Sequence, residues 1–232
     1  MAERSRKRMK HKILSAACVV FSLVLFTACS GSKKESSQSS QASKSQKSDS
    51  AIVNYDEFED LMKDTEDIDD GPLLSLSNTT AKPGELAKVT LSVKNADLKW
   101  NMCGIHITYP EFLKPDMKDP SPEVRDVKFE TGDATIDNSG AFCKEWQSDL
   151  PDILTQKKLG CLFFTCMFSG DYGGDGEMFS VYLKVPENAE PGAVYHIGSY
   201  YMSTDLFSNM QSSMPFQKYA FSNFESGTIT VE

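Results

Sequence analysis

The sequence predicts an all-β fold for residues 72–232, in which two sheets pack face to face as a sandwich. Short segments rich in β-branched and aromatic residues recur along this region, and turn signals separate them. Several segments alternate apolar and polar residues, as in "LAKVTLSVK", where Ala87, Val89, Leu91 and Val93 alternate with mostly polar neighbours. Because side chains alternate between the faces of a strand, this pattern predicts strands with one buried face.

The first 28 residues are predicted to direct export and not to fold. Six Lys or Arg residues precede an apolar segment at 13–28, and Cys29 follows Phe26, Thr27 and Ala28 directly. This arrangement resembles the signal peptide and lipobox of bacterial lipoproteins, in which the cysteine carries the lipid. We therefore expect residues 1–28 to be a signal peptide and Cys29 to be lipidated. The apolar segment is shorter than the roughly 20 residues of a membrane span.

Two segments separate Cys29 from the predicted sandwich. Residues 29–50 consist mainly of Ser, Gln and Lys, a composition that predicts a flexible linker. Residues 51–71 contain nine Asp or Glu residues and one Lys, and we interpret them as an acidic stalk. Within the stalk, Asn54 is placed as a helix N-cap, with Glu57 three residues after it. Apolar residues follow at helical spacing: Tyr55, Phe58, Leu61 and Met62. This pattern predicts a short helix laid on the domain, and an acidic docking peptide is the less favoured reading.

Nine strands are predicted in the sandwich, and one helical turn interrupts them. Pro151 in "SDLPDILTQKK" is placed to open that turn. The Pro-Gly pairs in "AKPGE" and "AEPGA" mark tight turns. The predicted strands are "LLSLSNTTA", "ELAKVTLSVKN", "WNMCGIHITYPEF", "DVKFETG", "SGAFCKEWQS", "LGCLFFTCMFSG", "EMFSVYLKVPE", "AVYHIGSYYMS" and "GTITVE".

Composition and spacing argue against several kinds of chemistry. The formal net charge of −9 argues against a nucleic-acid partner, because phosphates attract basic surfaces. The run Asp64 to Gly71 lacks the alternating acidic spacing of a calcium loop, and no His-Glu-x-x-His motif is present. We therefore expect no metal or cofactor in this chain.

Four cysteines remain in the predicted domain: Cys103, Cys143, Cys161 and Cys166. Cys161 and Cys166 are five residues apart, so on a regular strand they face opposite sides and share no metal site or disulfide. Free thiols are favoured, although Cys103–Cys143 and Cys103–Cys161 disulfides remain open in an exported protein.

The loop "SGDYGGDGE" follows the Cys161–Cys166 strand and contains several glycines. It lacks the lysine of a P-loop and does not precede a predicted helix, so phosphate binding is not expected. We expect the glycines to adopt positive φ in a long turn. Tyr172 in the middle of the loop is predicted to be a recognition contact, and a lid on the core is the alternative.

With these strands in place, the domain resembles a cohesin, the receptor module for dockerins in cellulosomes. Four stretches carry the resemblance, in family order over residues 73–232. They are "AKPGELAKVTLSVKNA", "MCGIHITYPEFLKP", "KLGCLFFTCMFSGDYGGDGEMFSVYLKVPENAEPGAVYHI" and "FSNFESGTITVE". Insertions near 114–126 and 144–158 are most similar to those of ruminococcal cohesins.

The resemblance implies a nine-stranded jelly-roll-like β-sandwich with a short helical insertion and no catalysis. It also implies that the sheet containing the third, fifth, sixth and eighth strands binds a calcium-loaded dockerin. On the third strand, Cys103, Ile105, Ile107 and Tyr109 would face the core. On the sixth strand, the set Leu162, Phe164, Cys166 and Phe168 would face inward, and the set Cys161, Phe163, Thr165 and Met167 outward. Better-known cohesins have Asn and Asp where this chain has Met102 and Gly104, so we expect an apolar docking patch. The residues expected to contact the dockerin are Met102, Gly104, His106, Thr108, Trp146, Phe163, Thr165, Tyr172, Met178 and Met202.

The sequence thus favours a monomeric, lipid-anchored, surface-exposed cohesin that captures a dockerin-bearing enzyme or scaffold protein. The main alternative is a carbohydrate-binding sandwich, for which Tyr195, Tyr200 and Tyr201 would supply the exposed aromatic row. A lipid-anchored hydrolase would require two carboxylates that converge in a cleft.

Overall fold

The computed structural model describes residues 54–135, 140–147 and 150–232. The chain divides into two units, Met1–Ser45 and Gln46–Glu232, and all described residues belong to the second. The predicted signal peptide, Cys29 and the linker therefore lie outside the described residues. Among the helices of the described residues, none is long and apolar enough to cross a membrane.

The described residues form three helices and fourteen strands. The helices are α1 (Tyr55–Met62), α2 (Asp152–Gln156) and α3 (Met214–Ser222). The strands are β1 (Leu73–Leu76), β2 (Asn78–Ala81), β3 (Leu86–Lys94), β4 (Met102–Pro110), β5 (Lys114–Pro115), β6 (Met117–Asp119), β7 (Asp126–Val127), β8 (Phe129–Thr131), β9 (Phe142–Glu145), β10 (Leu159–Met167), β11 (Gly176–Lys184), β12 (Val194–Ser199), β13 (Leu206–Ser208) and β14 (Gly227–Val231).

The strands form two sheets. The smaller sheet has five strands in the order β1-β3-β11-β5, with β8 also beside β11. The larger sheet has nine strands in the order β2-β14-β12-β4-β10-β9-β7-β6, with β13 also beside β4. The fold is a jelly-roll β-sandwich with a short helical insertion, α2, as the sequence predicts. Strands outnumber the predicted nine for three reasons: the first predicted strand divides into β1 and β2, the segment 114–131 pairs as four pieces of two or three residues, and β13 was not predicted.

The main core lies between the two sheets. Ala87, Val89, Leu91 and Val93 of β3 are buried in it, and this confirms the alternation in the sequence. The two Pro-Gly turns are also confirmed. Gly84 and Gly192 have φ of 79° and 84°, and the residue after each glycine donates a backbone hydrogen bond to the third residue before it.

Helix α1 lies on the domain, as expected from the pattern of this acidic segment. Phe58 and Met62 belong to the main core, and the Phe58 ring lies 5.0 Å from that of Tyr201, centroid to centroid. Asn54 precedes the helix, but its side chain does not cap the backbone. Its amide donates instead to the Glu57 carboxylate and to the carbonyl of Tyr201. The acidic segment is therefore fixed to the sandwich at its helix.

Helix α3 is not predicted by the sequence analysis. Its segment, "MPFQKYAFS", is rich in aromatic residues and lacks a clear helical stripe. A helix-start signal is nevertheless present, since Ser213 occupies the N-cap position and Pro215 lies in the first turn. Phe221 of α3 lies 5.0 Å from Tyr201, so α3 shares an aromatic cluster with α1.

Candidate binding face

The outer face of the larger sheet is built around β4 and β10, which pair along their full length. The register places Gly104 opposite Thr165, His106 opposite Phe163, and Thr108 opposite Cys161. Residues 103, 105, 107 and 109 of β4 are buried in the main core, as are residues 162, 164, 166 and 168 at β10. Both inward sets predicted from the sequence are confirmed. The alternate residues of β4 and β10 therefore lie on the outer face.

One end of this face, which we call the covered end, is buried by other elements. Leu154 of α2 and Tyr200 pack on Cys161, and Trp146, Leu150, Leu159 and Met202 surround them. His106 is only 1% exposed and Thr108 is 3% exposed. Both were expected to contact a partner, and this expectation is wrong, because His106 is enclosed by Trp146 and Asp205, and Thr108 lies opposite the buried Cys161. The one helical turn predicted at Pro151 is confirmed, but its covering role was not foreseen.

His106 has a buried acidic partner at the covered end. Its Nδ1 lies 2.6 Å from Oδ1 of Asp205, and the Asp205 side chain has no exposed surface. Oδ2 of Asp205 accepts a hydrogen bond from the backbone N–H of Met202, at 3.2 Å. Burial raises the pKa of the Asp205 carboxyl, and the hydrogen bond with His106 opposes that shift. The pair ties β4 to the segment between β12 and β13.

Trp146 and Met202 were both expected to contact the dockerin, and both lie at the covered end. Trp146 is partly buried, and its ring meets His106 edge-on at 5.0 Å. The indole Nε1 is buried without a hydrogen-bond partner among the described residues. Met202 is partly buried against the same cluster. Neither side chain offers an open contact at the centre of the face.

The other end of the face, which we call the open strip, is apolar and reachable by solvent. Phe142 is 43% exposed, Met167 is 54% exposed and Met210 is 60% exposed. Phe163 and Leu206 are partly buried between them. The open strip consists of Met102, Phe142, Phe163, Met167, Leu206 and Met210.

Gly104 and Thr165 form the base of the open strip. Gly104 is paired with Thr165 on one side and Leu206 on the other. A Cβ atom at Gly104 would lie 3.6 Å from Phe163 and 3.8 Å from Leu206, so these two side chains already close over the glycine. The Thr165 hydroxyl donates to the Cys103 carbonyl at 2.9 Å. The predicted contacts Met102, Phe163 and Thr165 thus converge here, with Gly104 beneath them.

The glycine loop between β10 and β11 lies beside the open strip. Tyr172 is 58% exposed, which excludes the lid on the core. Asp171 accepts a hydrogen bond from the backbone N–H of Met210, so the loop contacts the turn after β13. Met178, in contrast, is fully buried in the main core, and its predicted role in binding is wrong.

The glycines of this loop serve two different purposes. Gly176 has a φ of 117°, as expected for a turn glycine. Gly173 is required by close packing, since a Cβ there would lie 2.1 Å from the Trp100 ring. The Trp100 indole also donates to the Gly174 carbonyl at 3.0 Å. The loop is therefore anchored to the core on one side while Tyr172 is displayed on the other.

The cysteines are placed for packing and not for reaction. All four described thiols are free and buried, and Cys161 and Cys166 face opposite sides of β10 as predicted. Burial raises the pKa of Cys103, Cys143 and Cys161 well above the usual range, and that of Cys166 to about 12. Cys161 shares a face with His106 and Asp205, but a thiol with a raised pKa is a poor nucleophile. The described residues also contain no group of three or more His, Cys, Asp or Glu suited to a metal.

The aromatic row required for carbohydrate binding is not formed. Tyr200 and Tyr201 are buried, and Tyr195 packs edge-on against Phe112 at 5.0 Å. These three side chains do not present a flat exposed surface.

Sequence reasoning missed three residues of the open strip: Phe142, Leu206 and Met210. A signal for Phe142 was present, because it directly precedes the buried Cys143 on a strand and so faces outward. Leu206 and Met210 lie in and after β13, a three-residue strand without a recognisable pattern. Met167 was assigned to the outer face but was not selected as a contact.

Comparison with known proteins gives matches among solved structures. No protein-family model matches the sequence. No curated protein sequence gives a significant match. The fold is similar to a type III cohesin module from the cellulosomal ScaE cell-surface anchoring scaffoldin of Ruminococcus flavefaciens, with a TM-score of 0.56 and 26% identity over 71% of this chain and 89% of that one. It is also similar to the sixth cohesin of Acetivibrio cellulolyticus scaffoldin B in complex with a Cel5 dockerin mutant, with a TM-score of 0.51 and 14% identity over 70% of this chain and 99% of that one.

Proposed function

We propose that this chain, whose folded part is a cohesin domain, binds the dockerin module of a partner protein and does not itself catalyse a reaction. The observation that carries the proposal is the likeness to the ruminococcal type III module, which extends over 89% of that module at 26% identity. The cohesin of A. cellulolyticus was solved with a dockerin bound. The partner would be a polysaccharide-degrading enzyme or a scaffold protein of a cellulosome- or amylosome-like complex.

The outer face of the larger sheet supports this proposal over an enzymatic role. Its open strip exposes apolar side chains suited to protein contact, whereas His106 and Asp205 are buried at the covered end. The thiol on the same face, Cys161, is buried with a raised pKa. We expect calcium on the dockerin partner and none on this chain, and we expect the chain to be a monomer.

Calcium-dependent capture of a dockerin tests the function directly. Residues 46–232, the second compact unit, are immobilised after circular dichroism and thermal unfolding confirm that the fragment is folded. Secreted proteins of the source bacterium are applied in calcium and, separately, in EDTA, and retained proteins are identified by mass spectrometry. We expect a dockerin-bearing protein to be retained in calcium and lost in EDTA. Retention of no dockerin from a folded fragment would refute the proposal.

We further propose that the domain is held at the cell surface by a lipid on Cys29. The basic residues at positions 4–12, the apolar segment 13–28 and the cysteine after it support this anchor. The ruminococcal module belongs to a cell-surface anchoring scaffoldin. Metabolic labelling with a clickable palmitate analogue should mark the wild-type chain and not Cys29→Ala. The proposal fails if both chains are labelled equally.

A further inference from the structure

We propose that a groove at one end of the sandwich binds a neutral oligosaccharide, so that the domain contacts a polysaccharide chain as well as a protein. We call this site the end groove. Its volume of about 760 Å³ lies within the roughly 300–1,000 Å³ of small-ligand sites. The inference goes beyond the proposed function and does not depend on it. The side chains that carry it are Glu111, Phe112, Lys114, Asn188, Glu190 and Tyr195.

The end groove is separate from the outer face of the larger sheet. One side of it is the turn after β4, residues 111–114, and the other is the turn between β11 and β12, residues 186–193. Tyr195 of β12 also lines the groove, and its side chain packs against the main core and not on the outer face. A ligand in the end groove and a dockerin on the outer face would therefore contact different parts of the domain.

Two aromatic rings form the apolar part of the end groove. Phe112 is 48% exposed, and its ring lies 5.0 Å from that of Tyr195, centroid to centroid, with the two planes at 72°. The rings therefore form a corner and not a flat row. A sugar ring has an apolar face of C–H groups, and the exposed ring of Phe112 offers that face an apolar surface of similar shape. The sugar hydroxyl groups would remain free to bond at the edge of the groove.

The polar side chains of the end groove offer hydrogen bonds in both directions. Glu111, Asn188 and Glu190 are exposed, and their side chains have no hydrogen-bond partner among the described residues. The Lys114 amine donates to the Glu111 carbonyl at 2.7 Å and keeps two N–H groups for a ligand. Carboxylates accept hydrogen bonds, an ammonium group donates them, and an amide does both. This combination suits sugar hydroxyl groups, which both donate and accept.

The charge of the end groove favours a neutral ligand. Two carboxylates, Glu111 and Glu190, and one ammonium group, Lys114, give a net charge of −1. A phosphate or an acidic sugar would be repelled by this charge, and a cation would be repelled by the Lys114 amine. A wholly apolar ligand would take water from these charged groups without replacing its hydrogen bonds. A neutral ligand with many hydroxyl groups avoids all three penalties.

Backbone hydrogen bonds hold both sides of the end groove in place before a ligand binds. In the turn after β4, the N–H of Leu113 donates to the Pro110 carbonyl at 2.9 Å, and the Leu113 side chain is fully buried. In the other turn, the N–H of Ala193 donates to the Glu190 carbonyl, and the Ala193 carbonyl accepts from Val231 of β14. A site that is already formed loses less conformational entropy on binding, which favours affinity.

Calorimetric titration of the folded 46–232 fragment with cellohexaose, maltohexaose, xylohexaose and mannohexaose tests the inference. We expect at least one of them to bind, equally in calcium and in EDTA, and with less than a twofold change between 0.1 and 0.5 M NaCl. Phe112→Ala should weaken this binding about tenfold, because it removes the aromatic surface. Glu190→Gln keeps the shape of the side chain and removes one carboxylate, and it should weaken binding severalfold. Met214→Ala is the matched control and should bind like wild type, because Met214 is 46% exposed at the start of α3 and does not line the groove.

Each outcome bears on the end groove separately from the dockerin. If the folded wild-type fragment binds none of the four oligosaccharides, the inference is refuted. If both groove variants bind the sugar as tightly as wild type, the sugar site lies elsewhere and the end groove is not a binding site. Should Phe112→Ala unfold at a lower temperature than wild type, the result for Glu190→Gln decides. Dockerin capture by the same variants should be unchanged, so that a failure of the sugar site leaves the proposed function standing, and the reverse.

Discussion

Replacing Asp205 with Ala should strongly destabilise the domain, because it breaks the buried pair with His106. The two side chains are 0% and 1% exposed, and Nδ1 and Oδ1 are 2.6 Å apart. The substitution leaves His106 Nδ1 without its acceptor and also removes the acceptor of the Met202 backbone N–H. The other ring nitrogen of His106, Nε2, is already without a partner among the described residues. Removing one member of a buried pair typically costs about 3–5 kcal/mol.

Urea-induced unfolding of residues 46–232 measures this effect. Tryptophan fluorescence is a suitable probe, since the Trp146 ring lies 5.0 Å from His106. With a slope of about 1–3 kcal/mol per molar urea, a loss of about 4 kcal/mol moves the midpoint by more than 1 M. For a domain of this size the melting temperature would fall by roughly 6–20 °C. The slope itself should not change, because the surface exposed on unfolding is nearly the same.

Two further variants distinguish the broken pair from a general packing defect. Asp205→Asn keeps the shape and one acceptor oxygen for His106, so we expect a loss smaller than that of Asp205→Ala. The double variant His106→Leu with Asp205→Leu removes both polar groups and should recover much of the stability. If Asp205→Ala unfolds within 1 kcal/mol of wild type, then the pair does not hold β4 to the segment before β13, and the reasoning is refuted.

Three other substitutions or treatments have clear expected outcomes. Tyr172→Ala should weaken dockerin affinity about tenfold without a change in thermal unfolding, because the side chain is 58% exposed beside the open strip. If a calorimetric titration shows unchanged affinity, the loop only connects β10 to β11 and does not contact the dockerin. Gly173→Ala should lower the free energy of unfolding by at least about 1–3 kcal/mol, because its Cβ would lie 2.1 Å from the Trp100 ring. Gly104→Ala is the control in the same urea experiment and should be tolerated, because its Cβ would make contacts of 3.6 Å or more. Thiol labelling of the native domain should be nearly absent from pH 7 to 9, because burial raises the pKa of each thiol and keeps it protonated over that range. The unfolded chain should label faster as the pH rises through about 8.5, the usual pKa of a free thiol. Four labelled cysteines are expected in urea, and only two would indicate one disulfide, for which Cys103 and Cys166 are the best-placed pair because they face each other across β4 and β10.

The parts of the fold that a local pattern determines were predictable from the sequence. On β4 and β10, a period of two residues separates the core residues from the outer ones, and both inward sets are correct. The two Pro-Gly turns were equally clear, because the residue pair itself favours the turn geometry. In each case the information lies within a few neighbouring residues.

The composition of the binding face was not predictable in the same way. Whether an outward-facing residue is exposed depends on what covers it, and the cover comes from distant parts of the chain. Asp205 lies 99 positions from His106, and Tyr200, which packs at the covered end, directly follows β12, far along the chain from β4. No spacing in the sequence links these residues, so His106 and Thr108 were placed at the surface. Met178 was misplaced for a related reason, since β11 is bulged between Glu177 and Phe179 and its alternation is interrupted there.

The attachment of α1 to the sandwich has a mechanical consequence. A partner held on the outer face and an anchor on the N-terminal side would load the chain in tension, and α1 is the first described element along that line. Phe58 and Met62 hold it to the core, and the burial of each is worth about 1.5–3 kcal/mol. Lys218 of α3 holds the segment just after α1, where its amine contacts the Thr65 carbonyl and lies 2.9 Å from the Asp67 carboxylate. No strand pairing has to break for α1 to detach, so pulling should first peel this helix away. In single-molecule force spectroscopy, α1 would act as a weak link that yields and lengthens the chain while the sheet that holds the partner stays intact.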